Sequence, residues 1–182
     1  MIQIFDNVFS FKQRQYYYNF VKDSNYKIGW PDSATIETLN HLYFFSSYSE
    51  EDMEKLGILQ DIQKPELLNL IDNRSPALVI VNCDQFSTVH WPHTDSVPPR
   101  DVLLYYINLD WKNEYYGETL FYDKLGKEII KASRFKPGRG ICFDGNIPHT
   151  IRPSSHNAPQ YRFTLFASFN EKNFIEQAKN SS

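Results

Sequence analysis

What the 182 residues lack narrows the reading before any motif is considered. Two cysteines, Cys83 and Cys142, are too few to staple a domain of this size. Both lie in apolar, strand-like runs and read as buried thiols. No apolar run approaches the roughly eighteen residues that cross a bilayer, and Met1-Ile2-Gln3-Ile4-Phe5-Asp6 lacks the basic start and apolar stretch of a secretory leader. The expectation is a cytoplasmic protein with no membrane partner, in a reducing compartment. No Lys/Arg run occurs, and a net charge of −3 with pI ≈ 5.9 gives no general attraction to nucleic acid or anionic lipid. Repeats, low-complexity tracts and linkers are missing as well, apart from the polar tail at 179–182. One domain spanning 1–182 is expected.

Aromatic residues, by contrast, are plentiful at 16%, and aromatics favour half-buried strands. Helical signals are confined to the first part of the chain. Ser10 and Gln13 form a capping box ahead of a helix over about 10–23, on which Tyr16 pairs with Phe20 and Tyr17 with Val21. Ser49 opens a second helix with an acidic first turn, towards Gly57, and Pro65 a third that runs to Ile71. His41 to Phe45 reads as a short strand and Gly29 to Asp32 as a turn. From residue 77 the period becomes two. Short extended segments at 77–83, 102–108, 118–122, 128–132, 140–143, 149–152 and 161–169 are separated by Pro, Gly, Asn and Asp. The pattern predicts an α+β, mainly β fold, an antiparallel double sheet or jelly roll with N-terminal helices packed on one sheet. The parts are a helical N-terminal region (1–76), a β core (77–169) and a C-terminal segment (170–182).

His93-Thr94-Asp95 puts an imidazole and a carboxylate two positions apart, on one face of an extended strand, where they can grip one metal ion. With five His and twelve Asp in the chain, some His-x-Asp by chance is about a one-in-three event, so the motif needs a third ligand elsewhere. His149, after an apolar run ending at Phe143, is the best candidate. Downstream, Arg162, Thr164, Phe166 and Ser168 share one strand face and Tyr161, Phe163, Leu165, Ala167 and Phe169 the other. An arginine on such a strand calls for a carboxylate, ideally a bidentate one. Arg152 competes for that role but sits at a strand end before Pro153. His90, three residues from His93, points to the opposite face and reads as a packed or rim histidine; His41 reads as structural and His156 as solvated. The stiff loop 96–100, with prolines at 98 and 99, is where substrate selection would reside.

Taken together, His93-Thr94-Asp95, Leu103 to Asn108 with Trp111, Gly117 to Phe121, Pro148-His149 and Arg162-Phe163-Thr164 resemble the Fe(II)/2-oxoglutarate-dependent dioxygenases, in particular their prolyl-4-hydroxylase-like branch. The resemblance spans about 77–169 and implies a double-stranded β-helix (cupin-like jelly roll) with the metal at one open end. It implies that His93, Asp95 and His149 ligate Fe(II) and form the catalytic set. Arg162 and Thr164 would bind the distal carboxylate of the cosubstrate 2-oxoglutarate, and ascorbate would be an accessory reductant. Partners would then be 2-oxoglutarate, dioxygen and a substrate, a prolyl residue or a small molecule, hydroxylated at a C–H bond with release of succinate and CO2. Where the family often has a tyrosine before the iron motif, this chain has Asn82, Cys83 and Asp84, and Tyr105 is read as the residue touching the cosubstrate instead. The other reading is a non-catalytic cupin-like metal-binding or structural module. Arg162 argues against it, because a module that only held metal needs no dicarboxylate clamp.

Overall fold

Alternation along ten strands decides what faces the site and what faces the helices. The structure, a computed structural model, describes residues 1–29, 43–57, 60–72, 74–95 and 100–170. The strands are β1 (Ile2–Phe5), β2 (Lys27–Ile28), β3 (Phe44–Tyr48), β4 (Pro76–Gln85), β5 (Arg100–Tyr106), β6 (Thr119–Tyr122), β7 (Ile129–Ser133), β8 (Gly140–Asp144), β9 (His149–Ile151) and β10 (Tyr161–Asn170). Seven form one sheet in the order β1-β8-β5-β10-β4-β3-β2, three form a second in the order β7-β6-β9, and every pairing is antiparallel. This is the mainly β, two-sheet jelly roll that the period-2 segments predict.

On its outer face the large sheet carries Val79, Val81, Leu103, Tyr105, Leu165, Ala167 and Phe169, all buried. Against them pack Tyr17 and Val21 of α1 (Phe11–Lys22), Met53 of α2 (Glu50–Leu56), and Leu67 and Ile71 of α3 (Pro65–Ile71). Each such side chain contributes roughly 1.5–3 kcal/mol through removal from water. Local chemistry sets the helix ends. Ser10 Oγ accepts from Gln13 N and the Gln13 side chain accepts from Ser10 N, closing the capping box. Gly57, in the left-handed region at φ 66°, terminates α2, a conformation that L side chains rarely adopt.

Between the sheets lies a second core. Val102, Leu104 and Tyr106 of β5 and Ile141 and Phe143 of β8 meet Phe121 of β6, with Trp111 and Phe135 closing it. The two faces of the seven-stranded sheet thus have separate apolar partners. Both cysteines are buried and free, and desolvation pushes the thiols up to about 12 at Cys83 and about 11 at Cys142.

The N-terminal part is less purely helical than expected. β1 pairs with β8, Ile2 opposite Phe143 and Phe5 opposite Gly140, while β2 and β3 extend the other edge. Pairing thus draws residues from the first 76 into both ends of the large sheet. Among the described residues no helix is long and apolar enough to cross a membrane. Residues 30–32 of the predicted turn, His41, positions 96–99 of the loop after the metal motif and the tail at 179–182 lie outside the described residues.

Candidate metal centre

His149 opens β9 directly after Pro148, and Phe121 of β6 lies opposite it. His93 forms an antiparallel bridge with it: His93 N donates to His149 O at 3.0 Å and His149 N to His93 O at 2.9 Å. Residues directly opposite in such a pair project to one side, so both imidazoles arrive together with ring centroids 4.6 Å apart. Two positions after His93, Asp95 shares that side, and its N–H is anchored to Gly145 O at 2.9 Å. The carboxylate lies 3.3 Å from His149 Nε2 and 3.6 Å from His93 Nε2, and one ligand atom from each of the three residues falls within 4.8 Å of the others.

Tautomers follow from the backbone. Nδ1 of His93 lies 2.9 Å from Trp91 O and Nδ1 of His149 lies 2.9 Å from Ile147 O. A carbonyl only accepts, so each Nδ1 carries a proton, and in the neutral ring each Nε2 is the nitrogen that can turn a lone pair to a metal. Asp95 Oδ2 is buried without a hydrogen bond among the described residues. A buried carboxylate oxygen left in this way beside two imidazole Nε2 atoms fits a divalent cation. Two nitrogens and one anionic oxygen on one side are the facial donor set of non-haem Fe(II), with the remaining positions open.

A second cluster lies on the inner face of β4 and β10. Arg162 and Thr164 are fully buried there. Register puts Asp84 directly opposite Arg162, and Asn82 directly opposite Thr164. Arg162 Nη1 donates to Asp84 Oδ2 at 3.1 Å and Nε to Gly117 O at 3.2 Å, while the guanidinium lies over the rings of Phe135, at 4.6 Å, and Tyr106, at 5.6 Å. Gly117 has φ 81°, and a Cβ there would stand 3.2 Å from Arg162 Nε, so both conformation and close approach call for glycine. The other Asp84 oxygen lies 2.8 Å from His90 Nε2. Burial pushes the Asp84 carboxyl up, but His90 and Arg162 outweigh it and hold the group below the usual carboxylate range. Arg162 Nη2, Thr164 Oγ1 and Asn82 Oδ1 are buried without hydrogen-bond partners among the described residues. An orphaned guanidinium N–H next to an orphaned hydroxyl fits the carboxylate of a bound oxo acid.

His93, Asp95 and His149 are therefore brought together, and Arg162 and Thr164 share one inward surface. Arg152 is exposed, stacks on Tyr116 at 3.7 Å and lies 3.7 Å from Glu118, so its side chain is held at the surface. His90 is buried on Asp84 and beside Tyr43, and His156 is exposed. Tyr105 corrects an expectation. It projects from the outer face of β5 into the helix-side core, its ring 4.8 Å from Phe9, because Tyr106 takes the inward parity. The sequence alone did not reveal that Asp84 joins His90 to Arg162. The available signal was an acid at the end of the apolar run from Leu78, a position that demands a buried partner.

No family model and no curated protein matches this chain. Solved structures do. A prolyl-4-hydroxylase of Pseudomonas putida superposes with TM-score 0.65 at 13% identity, over 93% of this chain and 92% of that one. The viral collagen prolyl hydroxylase of Paramecium bursaria Chlorella virus-1, solved with 2-oxoglutarate, gives 0.63 at 16% identity, over 92% and 94%. HygX from Streptomyces hygroscopicus, solved with nickel, 2-oxoglutarate and hygromycin B, gives 0.62 at 8% identity, over 94% and 83%. The chain has the fold of the 2-oxoglutarate-dependent oxygenases, and its candidate centre has the donor set such a fold can use for a divalent metal.

Proposed function

We propose that the protein is an Fe(II)- and 2-oxoglutarate-dependent dioxygenase that hydroxylates a C–H bond of its substrate. One observation carries this reading: the His93, Asp95 and His149 side chains gather inside the same jelly roll that buries the Nη2 of Arg162 and hydroxyl of Thr164, which have no partner among the described residues. Metal retention alone would explain the first group and leave the second as an uncompensated cost.

In this reading His93, Asp95 and His149 hold iron from one side. Carbonyls of Trp91 and Ile147 fix the two rings so that Nε2 faces the ion. Arg162 Nη2 and Thr164 Oγ1 receive the distal carboxylate of 2-oxoglutarate, and Phe135 and Tyr106 under the guanidinium keep water from it. With iron bound, the chemistry supplied is oxidative decarboxylation of 2-oxoglutarate by dioxygen, one oxygen atom entering succinate and the other the substrate C–H bond. The protein's task is to aim that bond. Prolyl residues and small molecules are both candidate substrates, since the fold neighbours include enzymes named for each. Ascorbate would serve as accessory reductant, and a reducing cytoplasm would suit the ferrous ion.

Anaerobic titration tests the proposal. Fe(II) should bind one per chain, 2-oxoglutarate should bind only after the metal and produce a visible absorption band, and admitting oxygen with a prolyl peptide, amino-acid or small-molecule panel should release succinate. Binding of 2-oxoglutarate that is indifferent to metal would refute it.

A further inference from the structure

We infer that Asp84 is an internal competitor for Arg162, a specificity-determining residue that sets the affinity for 2-oxoglutarate by holding one side of the guanidinium and leaving Nη2 to the cosubstrate. The inference rests on the proposed function and concerns the same site. Arg162 is a planar fork whose strength toward carboxylates comes from two parallel N–H bonds. Here Nε is turned to Gly117 O and Nη1 to Asp84 Oδ2, so an incoming carboxylate meets a fork already engaged. Nor is Asp84 able to swing aside cheaply. Its second oxygen is on His90 Nε2, and His90 is fixed in turn by Thr150 Oγ1 donating to its carbonyl at 2.8 Å and by Tyr43 at 4.8 Å. Asp84 leaves this position only by breaking a buried contact at each end.

Charge leads to the same conclusion. Arg162 and Asp84 together are neutral, and both are almost completely buried. A distal carboxylate added to that pair buries one net negative charge, whereas added to Arg162 alone it would complete a neutral pair. The chain has thus neutralised its clamp in advance. This keeps the ligand-free site intact at the expense of affinity, and the distal carboxylate adds less here than at an uncompensated arginine.

The test uses the full chain loaded anaerobically with Fe(II), and calorimetry of two ligands, 2-oxoglutarate and 2-oxopentanoate, which has the same carbon chain without the distal carboxylate. Asp84→Asn removes the charge and keeps an oxygen toward Arg162. It should bind 2-oxoglutarate at least about tenfold more tightly than the parent, leave 2-oxopentanoate unchanged, melt lower without ligand, and gain more in Tm from added 2-oxoglutarate. Unchanged or weaker 2-oxoglutarate binding in the folded variant overturns the inference. Should the variant fail to fold, the parent decides: a preference for 2-oxoglutarate over 2-oxopentanoate within about tenfold supports a pre-neutralised clamp, and one of about a thousandfold or more refutes it. A parent with no iron-dependent binding of either ligand overturns the proposed function itself, a result distinct from metal-dependent binding that Asp84→Asn fails to tighten.

Discussion

The two faces of β10 are both largely hidden from water, one wholly apolar and the other mostly polar. Phe163, Leu165, Ala167 and Phe169 enter the helix-side core, while on the alternate positions Arg162, Thr164 and Ser168 are buried polar groups facing the interior of the jelly roll, with the half-buried Phe166 among them. On an ordinary half-exposed strand polarity marks the solvent side; here it cannot. Burying a guanidinium and hydroxyls costs free energy that an aliphatic face would not, so on the proposed function the inward face serves binding and the outward face stability. Adjacent residues should therefore fail in different assays.

The largest effect is expected at the metal. His93→Ala, Asp95→Ala and His149→Ala should each weaken Fe(II) binding by more than about a hundredfold, measured by anaerobic titration, with the fold retained by circular dichroism. His156→Ala, an exposed histidine outside the cluster, should bind like the parent. Equal losses in His156→Ala would mean the apparent ligand set is a general histidine effect.

Arg162→Ala comes next and crosses the division between the faces. It removes the proposed cosubstrate donor and also strands Asp84 as a buried carboxylate, so unfolding free energy should fall by about 3–5 kcal/mol and 2-oxoglutarate binding should be lost. Arg162→Lys should recover part of the stability and less of the binding, because an ammonium cannot reproduce the fork. Chemical denaturation and calorimetry on the same samples separate the two losses.

Leu165 and Thr164 make the cleanest pair. Leu165→Ala should cost about 3 kcal/mol through the cavity it leaves, lowering Tm by roughly 6–12 °C, with ligand affinity in the folded protein unchanged. Thr164→Val keeps the shape and removes a hydroxyl that has no hydrogen-bond partner among the described residues. Its Tm should hold or rise by a few degrees while 2-oxoglutarate affinity drops by about tenfold. A Thr164→Val protein that melts much lower than the parent would show that the inward face is structural.

How much of this was legible depended on whether local order or register decides it. The strands beyond residue 77 follow from period-2 alternation, and the observed bounds of β4 and β10 extend the predicted segments by only a few residues. Capping boxes at Ser10 and Ser49 are likewise local. The gathering of the candidate trio was legible in part because His-x-Asp fixes one face, although only the His93–His149 bridge brings the third residue in. Arg162 could be preferred to Arg152 from its neighbours alone. Its actual partner could not, because Asp84 meets it through the register of β4 on β10, seventy-eight positions apart in sequence. The role of β1 was hidden for a related reason: four alternating residues at the start of the chain do not say which distant edge they cover.

The smallest predicted difference is between two neighbouring tyrosines, where parity alone was misjudged. Tyr106 points inward, its hydroxyl 2.7 Å from Thr119 Oγ1 and donating to Ser133 O at 3.3 Å, with its ring beneath Arg162. Tyr105 points outward against Phe9. Tyr106→Phe leaves the buried Thr119 hydroxyl without this contact and should cost about 1–2 kcal/mol, with a modest loss of 2-oxoglutarate affinity as the surface under the guanidinium relaxes. Tyr105→Phe keeps the outward ring in its contacts and should change stability by less than about 1 kcal/mol and ligand affinity not at all. Matched denaturation curves and 2-oxoglutarate titrations of the two variants decide it. If Tyr105→Phe is the variant that loses the cosubstrate, the inward parity of β5 is wrong, and with it the assignment of Arg162 and Thr164, which share its inner face through the Thr164–Tyr106 pair.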